Sequence, residues 1–76
     1  MTREQISHTI MNFWRTEHGK AIAGWSPAQI QAQATAQAAL TEAEMDALAL
    51  IGLDRATAWI EVRNSMALRA PPDLSL

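Results

Sequence analysis

Four helix-start signals punctuate this chain of 76 residues and constrain its fold more than any other feature. Ser, Thr or Asp caps a helix N-terminus by accepting a hydrogen bond from a backbone N–H of the first turn. The four capping residues are Thr2, Ser26, Thr41 and Asp54. Gln or Glu stands three positions after each of the first three, which completes a capping box. Each signal predicts the start of a helix.

Apolar residues recur at helical spacing behind the caps, and no segment alternates as a β-strand does. Gly19, Gly52 and Pro71 supply stop signals. We predict an all-α fold, a compact four-helix bundle with helices over about residues 3–18, 27–39, 42–51 and 55–69. Residues 1–70 then form a single helical domain, and residues 71–76 form an extended, loose C-terminal tail.

The third predicted helix is apolar on nearly every side in its second half, from Ala47 to Ile51. Helices of that kind are buried, so we expect this one to lie at the centre of the bundle. The three tryptophans, Trp14, Trp25 and Trp59, are also expected to fill the core. Trp14 and Trp25 are the two that we also consider for contact with a partner.

Composition narrows the classes of function. The net charge is −2 and the six basic residues are scattered, which disfavours nucleic acid and anionic membranes as main partners. No apolar run approaches the ~20 residues that span a bilayer, and no signal peptide is visible, so we expect a cytoplasmic protein. There is no cysteine, which excludes disulfides and thiolate zinc sites.

Catalysis has little support in the sequence. The only imidazole bases are His8 and His18, which stand ten residues apart and face different sides of one helix. No metal-binding cluster and no glycine-rich phosphate loop occurs, so we predict no catalytic residues, no metal and no cofactor. The expected class is a non-enzymatic protein.

The stretch from Ala21 to Leu40 contains no charged residue, and within it Gln29, Gln33 and Gln37 share one helical stripe. We favour a helix packed inside the bundle with glutamine on the wet side. The other interpretation is an interface, because charged residues are depleted at interface cores. The candidate partner-binding residues are Met11, Trp14, Trp25, Gln29, Gln33 and Gln37.

Residues 41–63 resemble a helix-turn-helix of bacterial repressors, above all in the run from Ile51 to Thr57. The resemblance implies a turn at Gly52 and a recognition helix whose DNA-binding residues are Arg55, Thr57 and Arg63. The chain departs from that pattern at Leu48, where the family favours a small residue, and at Glu61, where it is usually apolar.

Gly52-Leu53-Asp54, followed by Glu61 to Asn64, resembles the Gly-Leu-Asp-Ser helix of acyl carrier proteins from polyketide pathways. Arg55 occupies the position of the serine that bears pantetheine there. The resemblance therefore implies no such cofactor on this chain.

The sequence supports three functional hypotheses. The first is a small protein-binding module that acts on another protein as an adaptor, a docking unit or an inhibitor by occlusion, of the kind that phages and mobile elements encode. The second is a helix-turn-helix DNA-binding regulator using residues 41–63. The third is a self-associating structural protein, a homodimer for example, that uses the apolar stripe of the first helix.

Overall fold

The computed structural model describes residues 1–73, and that part of the chain is helical without strands. It contains three α-helices: α1 (Arg3–Glu17), α2 (Pro27–Leu50) and α3 (Arg55–Val62). A single π-helical turn, Arg63–Ala67, comes directly after α3. The predicted all-α class is confirmed, whereas the predicted four-helix bundle is wrong. Of the predicted tail, residues 74–76 lie outside the described residues.

Helix α1 begins and buries one stripe as its sequence predicts. The Thr2 hydroxyl accepts from the N–H of Gln5 at 3.2 Å, and the Gln5 side chain accepts from the N–H of Thr2 at 2.8 Å. Ile6, Ile10 and Trp14 are fully buried. They stand four residues apart, so they share one face. Helix α1 packs against α2.

Helix α2 merges the second and third predicted helices into one helix of 24 residues. Its start is the predicted one, with Ser26 and Gln29 in a reciprocal capping box and Pro27 at the first position. The capping box predicted at Thr41 does not form. The Thr41 hydroxyl donates to the backbone oxygen of Gln37 at 2.8 Å, one helical turn back, and the helix continues.

The physical reason is that a cap signal permits a start without enforcing a break. Neither glycine nor proline stands between Ala39 and Thr41, so nothing ends the helix there. Continuity keeps one stripe on α2 facing the core. That stripe consists of Ile30, Ala34, Ala38, Thr41 and Met45.

The expectation that the segment ending at Ile51 lies at the centre of the bundle is also wrong. Leu50 is 89% exposed and Ile51 is 74% exposed. A helix of 24 residues is ~36 Å long, whereas α1 has 15 residues and α3 has eight. The shorter helices cover only one side of α2, and the opposite side remains in solvent.

The turn from α2 to α3 agrees closely with the sequence signals. Gly52 has φ of +102°, and the N–H groups of Gly52 and Leu53 donate to Ala49 and Leu48 at 3.1 and 3.2 Å. This pattern is a Schellman motif. The Asp54 carboxylate accepts from the N–H of Thr57 at 2.8 Å, and this backbone hydrogen bond holds the pKa of Asp54 below its usual value.

The fourth predicted helix, residues 55–69, is α3 extended by the π-helical turn. Two side chains from other helices fasten the chain beyond α3. The Trp14 indole N–H donates to the backbone oxygen of Arg69 at 2.8 Å, and the Gln37 amide donates to the backbone oxygen of Met66. The bond to Met66 holds the π-helical turn against α2, and the bond to Arg69 holds the C-terminal segment, residues 68–73, beside α1.

Candidate interaction surface

The side of α2 that faces solvent carries a regular seam. Residues there succeed one another at alternating steps of four and three, the spacing that aligns one side of a helix with a second helix. None of them is charged, and all are exposed except Gln33, which is half-buried. We call this set the outward seam. Its members are Gln29, Gln33, Ala36, Leu40, Ala43, Ala47 and Leu50.

Two features make the outward seam suitable for binding. Leu40 is 57% exposed, and Leu50 with its neighbour Ile51 is exposed further still. The alanines between them keep the helix thin, so another backbone can approach closely. Burying apolar area contributes ~25 cal/mol per Å² removed from water, so a partner that covers this side gains binding free energy.

Charge on α2 is confined to its second half and lies outside the seam. Glu42 lies on the core side, where it binds Arg3 at 3.0 Å and Arg55 at 2.8 Å. The hydrogen bond from Arg55, followed by that from Arg3, holds the pKa of Glu42 below its usual value. Glu44 and Asp46 are exposed and border the seam.

The C-terminal segment borders the first half of the outward seam and forms grooves with it. One groove of about 300 Å³ lies between Arg69 to Pro72 and the α2 residues from Gln33 to Leu40. A second, of about 480 Å³, adjoins it and is lined by Trp25, Gln29 and Pro72 among others. Within residues 1–73, no such wall stands beside the second half of the seam.

The structure separates the predicted partner-binding residues. Trp14 is 1% exposed and its N–H is already bonded to Arg69, so it belongs to the core. Met11 is half-buried and lines a different groove of about 260 Å³ between α1 and α2, together with Gln31 and Thr35. Neither residue lies on the outward seam.

The remaining four predicted residues lie at or near the first half of the seam. Trp25 is half-buried and packs edge-to-face on Trp14, with ring centroids 5.9 Å apart. Gln29 and Gln33 are seam members. Gln37 stands beside them but uses its amide to hold Met66. The uncharged stretch that contains them is therefore partly buried and partly exposed, as one stripe faces the core and the other faces solvent.

Sequence reasoning missed the second half of the surface. Leu40, Leu50 and Ile51 carry its apolar area, yet the division of α2 at residue 40 assigned Leu50 and Ile51 to a core helix. The signal that identifies them is the four–three spacing, which continues without a break from Gln29 to Leu50.

The residues that the helix-turn-helix resemblance implies for DNA do not form one surface. Arg55 binds Glu42, and its Nε donates to the backbone oxygen of Met1 at 2.6 Å. Thr57 and Arg63 are exposed. Arg55 and Thr57 stand two positions apart on α3, a helical rotation of ~200°, so they point to nearly opposite sides.

Groups with catalytic or metal-binding chemistry are dispersed in residues 1–73. His8 is exposed, and His18 is half-buried with its ring 5.3 Å from that of Phe13. Within the same residues no group of three His, Cys, Asp or Glu side chains could hold a metal ion. None of the helices described is both long and apolar enough to cross a membrane.

Comparison with known proteins adds no relationship. No protein-family model, no curated protein and no solved structure matches this chain.

Proposed function

We propose that this protein is a non-enzymatic protein-binding module and that it binds through the outward seam. The observation that carries the proposal is the side of α2 from Gln29 to Leu50, which is uncharged and, apart from half-buried Gln33, exposed. Large apolar side chains at Leu40, Leu50 and Ile51 supply binding energy there.

The mode of binding that fits this surface is packing of a helix along α2. Leu40 and Leu50 project from the seam with two alanines between them, so a partner helix gains apolar contact and close approach together. No moving part and no cofactor is needed. The protein then acts as an adaptor, a docking unit or an inhibitor by occlusion, and we place it in the cytoplasm.

The experiment compares two substitutions of the same chemistry on different surfaces. Leu40→Glu introduces a charge in the seam, and Ile60→Glu introduces one on α3, where Ile60 is 56% exposed. Circular dichroism first confirms that both variants fold. The immobilised wild-type chain captures proteins from its native cell, mass spectrometry identifies them, and each is purified and tested against all three chains.

We expect Leu40→Glu to abolish binding of the purified partner and Ile60→Glu to leave it unchanged. A charge in the centre of an apolar contact is buried without a counter-ion, which is strongly unfavourable. Equal binding by the two variants, or no partner that distinguishes them, would show that the outward seam does not bind another protein.

A further inference from the structure

The outward seam has two halves of opposite shape. In the first half, the C-terminal segment forms a wall, and grooves open beside Gln29 and Gln33. In the second half, Leu50 and Ile51 project into solvent. A surface that carries both a groove and a projection can be complementary to itself.

The two halves extend to nearly equal lengths on either side of Leu40. Leu40 is eleven positions from Gln29 and eleven positions from Ile51, a distance of ~16 Å along the helix in each direction. A two-fold axis at Leu40 therefore brings the projecting end of one chain to the grooved end of the other.

We infer that the outward seam binds a second copy of this chain, with the two α2 helices antiparallel and Leu40 on the two-fold axis. Such an interface uses the same patch on both chains, as most soluble dimers do. The inference rests on the proposed function, because it names an occupant of the same surface. A different protein would compete with the second copy for the seam.

Charge favours the antiparallel direction. All three charged residues of α2, Glu42, Glu44 and Asp46, lie in its second half, so parallel helices would bring like charges together. Antiparallel helices place them against the uncharged half. The opposed helix dipoles are also favourable in this direction.

The same arrangement implies one cross-chain ion pair. Glu44 stands seven positions after Gln37, so both lie on one flank of α2. Gln37 lines the groove that contains Arg69. A two-fold pairing keeps equal flanks together, which places Glu44 beside the Arg69 of the second copy. Both side chains are exposed, and neither forms a salt bridge within residues 1–73.

The size of the surface sets the expected strength. A face ~36 Å long and ~10 Å wide is smaller than the ~800 Å² per chain of a standard interface, even with the C-terminal segment beside it. We therefore expect a dissociation constant of ~1–100 µM, in the range of transient association. Dimerisation should therefore be measured at protein concentrations several times the dissociation constant.

Disulfide crosslinking tests the direction and the axis, because the natural chain has no cysteine. Under mild oxidation, Leu40→Cys alone should give a covalent dimer. Gln33→Cys and Ala47→Cys, each seven positions from Leu40, should give little crosslinking alone and a mixed dimer when combined. Ile60→Cys, on α3 and outside the seam, is the matched control and should give no covalent dimer.

Charge exchange tests the ion pair independently. Glu44→Arg and Arg69→Glu should each raise the dissociation constant by ~2–30-fold, because the axis repeats the pair twice. The double variant should restore it. Analytical ultracentrifugation of the folded chains measures all four constants.

The outcomes separate this inference from the proposed function. A chain that stays monomeric well above 100 µM, or that crosslinks alone at positions 33, 40 and 47 equally, overturns the antiparallel dimer. The proposed function survives that result if Leu40→Glu still loses a purified partner that Ile60→Glu retains. A crosslinked dimer without any such partner supports the inference and leaves self-association as the activity of the seam.

Discussion

Glu42 joins all three helices at the level of single side chains, because it lies on α2 and binds Arg3 of α1 and Arg55 of α3. These bonds lower its pKa in the folded state below the usual 4.5. The unfolded chain therefore takes up a proton first as pH falls. The stabilisation is fully present above pH 4.5 and is lost as pH falls through the lowered pKa.

We expect Glu42→Gln to lower the melting temperature at pH 7 and to have a smaller effect at pH 3, because the stabilisation is lost as pH falls through the lowered pKa of Glu42. Glu61→Gln, on α3, which removes no salt bridge within residues 1–73, is the control and should change stability little at either pH. Thermal unfolding followed by circular dichroism measures both. A Glu42→Gln effect of equal size at the two pH values would contradict the role of the ion pairs.

Gly52 is the residue whose backbone conformation the α2–α3 turn requires. A side chain added there meets no atom within 4 Å, but φ of +102° is strained for any residue with a Cβ. We expect Gly52→Ala to cost ~1–2 kcal/mol in urea unfolding. Gly24→Ala also meets open space, without a positive φ, and should cost much less.

At the level of elements, the start of a helix was easier to predict than its continuation. Thr2, Ser26 and Asp54 cap helices as predicted, since each comes after a segment that is not helical. Thr41 has the same local chemistry but stands behind a run of good helix formers. Whether a capping residue starts a helix depends on the segment before it and on the stripe of side chains that an unbroken helix buries in the core. Neither is part of the capping motif.

Leu40→Pro distinguishes the continuous α2 from two separate helices. Leu40 is exposed, so the main effect of proline there is on the backbone. In a continuous helix it removes a hydrogen bond and clashes with the preceding turn, at a cost of ~3 kcal/mol or more. Before a helix that starts at Thr41 it would be tolerated. We expect extensive loss of helicity by circular dichroism, and little loss for Leu40→Ala.

For the whole molecule, the error at residue 40 also concealed half of the candidate surface. The Gln29 and Gln33 stripe was visible in the sequence because charge is absent around it. The exposure of Leu50 and Ile51 was not visible, because apolar residues are expected to be buried. Only the lengths of the three helices show that α1 and α3 are too short to cover these two side chains. The surface that a chain of 76 residues leaves uncovered depends on how its elements are divided.

A chain that covers its own seam by pairing should be more stable when concentrated. Binding that occurs only in the folded state stabilises it by RT ln(1 + [L]/Kd), which is ~1 kcal/mol when the free chain exceeds Kd about fivefold. For a domain of this size that corresponds to ~4–8 °C in melting temperature. We therefore expect calorimetry to give a higher melting temperature as the protein is concentrated from below to above its dissociation constant. Leu40→Glu should abolish the dependence on concentration and Ile60→Glu should preserve it, whereas a wild-type melting temperature that stays constant would show that the exposed side of α2 gains nothing from a second copy.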